Sequence, residues 1–130
     1  MNKRAARLIE PVILSARPER DEYWFREGCH ITELSNSEAD EAVSVARVRL
    51  PPEGQTRWHA LVDTVERYVL LAGRGEVELG DAAPVPVRAH DVVIIPPDCP
   101  QRIANVGEET LEFLAICSPR FEEHNYRDLE

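Results

Sequence analysis

Basic residues, cysteines and long apolar runs are all scarce in this chain of 130 residues. Fifteen Lys and Arg stand against 24 Asp and Glu, a formal charge of −9. Nucleic-acid binding depends on neutralising phosphates with Lys and Arg, so this balance excludes nucleic acid as the expected partner. It argues equally against an anionic membrane surface. The three cysteines, Cys29, Cys99 and Cys117, cannot all pair, and their spacing matches neither a zinc site nor a redox pair. Free thiols are ordinary in a reducing compartment, which predicts a cytoplasmic protein. No apolar stretch nears the ~18 residues of a membrane span. Pro11-Val12-Ile13-Leu14 is too short for the core of a secretory signal. Only one of the 15 basic residues is Lys, which reads first as genomic composition bias.

Helix signals are scarce too. Residues 2–10 predict one short helix, stopped by Pro11. The rest is β-rich bursts divided by Gly, Pro and Asn, with strands expected over 29–34, 42–50, 56–62, 66–72, 75–79, 85–88, 91–95, 101–105 and 111–117. Turns fall at Pro51-Pro52-Glu53-Gly54, Gly73-Arg74-Gly75 and Pro96-Pro97-Asp98, where Pro presets φ and Gly accepts positive φ. Short strands at this spacing predict an all-β sandwich or barrel. At 43% hydrophobic and 30% charged the composition is globular, and the length suits one domain with a real core. Alternation puts Leu111, Phe113, Ala115 and Cys117 on one strand face, with Leu114 and Ile116 on the other. Tyr68 and Leu70 likewise oppose Val69 and Leu71. Walls apolar on both faces predict an outer cover.

Two clusters of residues carry the functional signal. His59-Ala60-Leu61 is followed by Glu66 and Gly73, with Gly54 upstream, and His90, Pro96, Asp98, Gln101 and Asn105 form a second set. The first resembles the cupin pattern Gly-(x)5-His-x-His-(x)3–4-Glu-(x)6-Gly, with Gly54 one residue too close. The second keeps every spacing of Gly-(x)5-Pro-x-Gly-(x)2-His-(x)3-Asn. The resemblance runs from Leu50 to about Cys117. It implies a cupin-type double-stranded β-helix, a jelly-roll barrel of two antiparallel sheets around an interior site. Residues 1–130 would form one domain: an N-terminal arm and covering strand (1–34), a barrel core (42–117) and a C-terminal tail (118–130).

Carried over residue by residue, the resemblance puts the metal-ligand positions at His59, Leu61, Glu66 and Gln101. Leu61 has no donor atom, and Gln101 offers a neutral amide oxygen, weaker than imidazole for a transition metal. His59, Glu66 and Gln101 could still hold a divalent Fe, Ni, Cu, Zn or Mn with waters completing the shell. The competing reading is a buried hydrogen-bonded cluster without metal, as in some sugar-nucleotide epimerases of this superfamily. Tyr68 shares a strand face with Glu66 and is a candidate proton donor and substrate contact. Arg47 and Arg49 share a face and would clamp an anionic substrate if that face lined the cavity. Cys29 and Cys117 read as small hydrophobes, His90 and His124 as surface residues, and Trp58 as pointing away from the interior.

Three functions stay open on these residues. One is a metal-dependent enzyme of oxygenation, isomerisation or lyase type. Another is a metal-free isomerase or epimerase with His59 as base and Glu66 orienting it. The third is a barrel that binds or senses a small anionic molecule. The aromatic segment 22–34 is expected to cover the barrel, most naturally against a second copy in a homodimer.

Overall fold

The computed structural model describes residues 10–130, so the helix expected over 2–10 lies outside the described residues apart from its final position. A single helical turn, α1 (Pro18–Asp21), leads into β1 (Tyr23–Phe25), β2 (Cys29–Ser35), β3 (Ser44–Leu50), β4 (His59–Leu61) and β5 (Val65–Ala72). β6 (Arg74–Leu79), β7 (Val85–Arg88), β8 (Val92–Ile95), β9 (Gln101–Asn105), β10 (Leu111–Ser118) and β11 (Tyr126–Asp128) follow. One sheet runs β1-β2-β3-β10-β5-β8 and the other β11-β4-β9-β6-β7, with every pairing antiparallel. This is the double-stranded β-helix that the motif spacing implied.

Alternation decides which side of each strand faces inward. Leu111, Phe113, Ala115 and Cys117 are buried while the residues between them are half-buried. Tyr68 and Leu70 of β5 and Val48 and Leu50 of β3 point the same way, and with Ile95 and Ile103 they fill the space between the sheets. Each such side chain stabilises the fold by about 1.5–3 kcal/mol through water-free packing. The outer face of the larger sheet stays partly bare: Val92, Ile94 and Leu71 are 56%, 66% and 42% exposed.

Turns of the family pattern keep their geometry even where their glycines are gone. Gly73 has φ +85, and a Cβ there would meet the Thr110 carbonyl oxygen at 2.6 Å, so this position excludes any side chain. His90 and Asp98 stand where the pattern uses Gly and still adopt φ of 80° and 65°. Asn105 closes the last turn: its amide nitrogen donates to the carbonyls of Leu50 and Glu109, and its oxygen accepts from the Gly107 N–H.

Among the described residues, segments on both sides of the barrel core pair into its sheets. β2 pairs along its own β3, so residues 23–35 form a hairpin extending the first sheet. The expected tail contains β11, which pairs with β4 and edges the second sheet.

Candidate functional site

The site begins where β4 and β9 meet. His59 and Gln101 are direct register partners, and both are almost fully buried. Glu66 and Tyr68 come from β5 in the opposite sheet and alternate inward with its core residues. The Tyr68 hydroxyl donates to Gln101 Oε1 at 2.5 Å. The structure thus brings His59, Glu66, Tyr68 and Gln101 together.

His59 is held in one orientation. Its Nδ1 lies 2.6 Å from the Arg57 carbonyl oxygen, which can only accept, so Nδ1 carries the proton. Its ring stacks on Tyr126, with centroids 5.2 Å apart. Nε2 is therefore the basic nitrogen, and it lies 3.0 Å from Glu27 Oε1. That contact needs a proton on one of the two atoms. Burial lowers the His59 pKa, and burial pushes the Glu27 carboxyl up to about 7. Both shifts favour a neutral imidazole facing a carboxylic acid, close enough to pass a proton but not aligned as a hydrogen bond.

Glu27 sits in the three-residue turn of the β1–β2 hairpin. The turn is fastened to the approach to β4, since the Arg57 N–H donates to the Glu27 carbonyl at 2.7 Å. The second carboxyl oxygen of Glu27 accepts from the Cys29 thiol at 3.3 Å. Glu66 is raised to about 7 by burial and then by the nearby Glu27, with His59, Gln101 and Cys117 offsetting part of the rise. Its Oε2 accepts from Cys117 Sγ at 3.7 Å, while Oε1 has no hydrogen-bond partner. Burial keeps the Tyr68 hydroxyl and the Cys29 and Cys117 thiols protonated by raising all three.

A cavity of about 40 Å³, room for roughly two or three waters, reaches Glu27, Glu66, Tyr68 and Cys117. It widens outward, past Phe25, Glu33, Asn36 and Phe121, into a surface cleft that also takes in Tyr23 and Glu123. His59 and Gln101 do not line it; Glu27 stands between His59 and the open space.

Arg47 and Arg49 do not enter the cavity. Val48 and Leu50 take the inward face, which leaves both guanidiniums outside. Arg47 forms a two-point pair with Glu112 at 2.9 and 3.0 Å, and Arg49 one with Glu22 at 2.7 and 2.6 Å. The anion clamp read from their shared strand face is thereby replaced by structural ion pairs. Trp58 lies outside, under the Arg102 guanidinium.

Two of the three donors expected to hold a metal, those of His59 and Gln101, face protein groups as arranged. Gln101 Oε1 is engaged by Tyr68, His59 Nε2 faces Glu27, and Leu61 brings only carbon to its ligand position. Among the described residues, no three His, Cys, Asp or Glu side chains are grouped as ligands would be. Glu27 itself escapes a reading of the motifs, because it lies 32 positions before His59 in a turn. Its one sequence signal is the Arg26-Glu27-Gly28 turn directly after three aromatics.

The profile of the family described as Cupin domain matches residues 46–117. An uncharacterized protein of Methanocaldococcus jannaschii is 30% identical over 110 residues, covering 83% of this chain and 87% of its own. The glucose-6-phosphate isomerase of Pyrococcus furiosus is 40% identical over 63 residues, which cover 45% of this chain and 33% of that enzyme. Among solved structures, a predicted oxalate decarboxylase of Thermotoga maritima superposes with a TM-score of 0.72 at 25% identity, over 82% of this chain and 99% of its own. The Streptomyces nucleoside dehydratase Pac13 superposes with a TM-score of 0.75 at 20% identity, over 92% of each chain, a likeness of fold alone. Among the described residues, no helix is long and apolar enough to cross a membrane.

Proposed function

Because the chain belongs to the cupin family, we propose that its barrel binds a small organic molecule and acts on it by proton transfer without a metal. Glu27 and Glu66 face the ligand in this reading, and His59 is the positioning residue behind Glu27. The observation that carries it is the 3.0 Å contact between Glu27 Oε1 and a His59 Nε2 whose other nitrogen is locked on a carbonyl. Passing the Glu27 proton to Nε2 leaves a carboxylate base at the cavity wall, and the imidazolium formed balances its charge. Glu66, with a carboxyl near 7, supplies the acid beside it. Tyr68 holds Gln101 and does not itself reach for a proton, because its own is already donated.

This assignment differs from a His59 base acting directly, since His59 is screened from the cavity. A neighbouring acid and base suit isomerisation and dehydration, which are the reactions named for the glucose-6-phosphate isomerase and the nucleoside dehydratase. The cytoplasmic setting and the homodimer belong to the same proposal, the first supported by free Cys29, Cys99 and Cys117. The test uses chelator-dialysed protein in D2O with nucleosides and small hydroxy-carbonyl compounds, followed by proton NMR. Deuterium entering a substrate carbon, and lost in Glu27→Gln and Glu66→Gln, is the expected result. Exchange that appears only after a transition metal is added overturns it, and saturable binding without exchange reduces the protein to a binding barrel.

A further inference from the structure

The acidic groups that face the cavity have no basic counterpart there. Glu27, Glu33 and Glu66 line it, with no Lys or Arg among the lining residues. The nearest cations are already engaged elsewhere. Arg26 lies over the Tyr126 ring at 4.5 Å with its Nε 3.4 Å from Glu123, and Arg120 is held by Asn36 and Glu122. His59 meets the cavity only through Glu27. The remaining groups that reach it, Asn36, Ser44, Tyr68 and Cys117, are neutral.

An acidic lining alone would not define a site, but here a buried acceptor is left waiting. Glu66 is only 8% exposed and lines the cavity, and its Oε1 makes no well-formed hydrogen bond, the Gln101 amide nitrogen nearby being likewise unsatisfied. A buried carboxyl oxygen without a donor is expensive, and an ammonium that donates to it removes the penalty and draws the carboxyl from its protonated to its ionised form. The rest of the wall is apolar and aromatic, with Phe25 and Phe121 edge to face at 6.2 Å beside the way in. Rings of this kind attract cations through their negative faces. The Phe25–Tyr126 cluster already does so for Arg26, whose guanidinium lies 5.7 Å from the Phe25 centroid.

We infer that the cavity selects an organic cation, a primary or methylated ammonium seated at Glu66 and Glu27 with its carbon skeleton against Phe25 and Phe121. The inference rests on the reading that this cavity is the ligand site, and it replaces the anionic ligand expected from Arg47 and Arg49. An anion entering here would meet three carboxyl groups and no counter-charge. A bare metal ion would leave the aromatic and aliphatic walls without a role. The chain's charge of −9 draws cations towards the cleft from a distance.

The experiment compares three probes of equal length, n-butylammonium, 1-butanol and butyrate, by calorimetry and amide NMR at matched KCl. Butylammonium is expected to bind at least about tenfold more tightly than butanol, with butyrate weakest and the shifts centred on Glu66 and Phe25. Glu66→Gln should abolish that preference while keeping the fold, and Glu33→Gln, at the wider end, should reduce it. Equal or tighter binding of butyrate overturns the inference, as does a preference unchanged in Glu66→Gln, or no saturable binding of butylammonium. The proton-transfer reading is judged separately by deuterium exchange. A protein that exchanges deuterium yet prefers butyrate keeps its proposed function and loses this ligand class.

Discussion

A Cβ built on Gly28 would lie 2.9 Å from the carbonyl oxygen of Gln55, and Gly28 has φ +108. Both facts forbid a side chain, and the residue before it is Glu27. The turn that delivers this carboxyl to His59 is therefore pressed against the loop before β4. Gly28→Ala is expected to cost about 2 kcal/mol, from the left-handed backbone and the contact together. It should also shift the His59 ring resonances as Glu27 moves. Denaturant melts and NMR check both, and an unchanged His59 spectrum would mean that the turn does not position the carboxyl.

The raised carboxyls make stability depend on pH in a definite direction. Glu66 has an ordinary value of 4.5 and is lifted to about 7, so from 4.5 upward the unfolded chain releases its proton first. Stability from this group is complete below 4.5 and declines as pH rises towards 7, by at most about 3 kcal/mol. Glu27 behaves alike. Glu66→Gln should therefore raise the melting temperature relative to the parent at pH 8 and give little or no gain at pH 4.5. His59, lowered by burial, works the other way: its contribution is present above about 6.5 and lost as pH falls below that value.

Arg47 and Arg49 offer a clean negative control. Their partners Glu112 and Glu22 lie on the outer face, so Arg47→Ala and Arg49→Ala should leave ligand affinity unchanged. Each should lower stability by about 1 kcal/mol or less, as expected for partly exposed pairs. Loss of binding in either variant would place the anion clamp back in the reaction.

Metal content tests the donor set directly. Untagged protein is expected to carry substoichiometric metal by elemental analysis. Leu61→His with Gln101→His supplies two imidazoles, one on the strand of His59 and one on its neighbour β9, and should raise occupancy towards one ion per chain. Stoichiometric metal in the parent that disappears in His59→Ala would restore the metal reading.

The exposed outer face predicts assembly. Val92 and Ile94 lie on the edge strand β8 beside Leu71, and apolar groups this exposed mark contact surfaces. Light scattering should give twice 14.7 kDa for the parent and 14.7 kDa for Ile94→Glu. A monomeric parent removes the dimer.

Much of the barrel was legible because two spacings fix where strands begin and end. The pairing of His59 with Gln101 follows from motif positions that face each other across β4 and β9. Even His90 and Asp98, which broke the glycine pattern, kept its left-handed backbone, since the turn is imposed by the strands on either side. The orientation of Arg47 and Arg49 was also available: Val48 and Leu50 alternate with them, and only one pair can face a core. What spacing could not yield was Glu27. Its contact with His59 exists only once the hairpin has joined the sheet, and no local pattern distinguishes a buried turn carboxyl from a solvated one.

The β1–β2 hairpin lies before the segment 46–117 that defines the family, yet it furnishes the group that touches His59. One residue of the interior thus comes from a stretch of chain outside the one the family shares. Two cupins with the same motif spacing can differ in what they do through the residue their preceding hairpin lowers into the interior. Grouping such proteins by their motifs alone would overlook that residue.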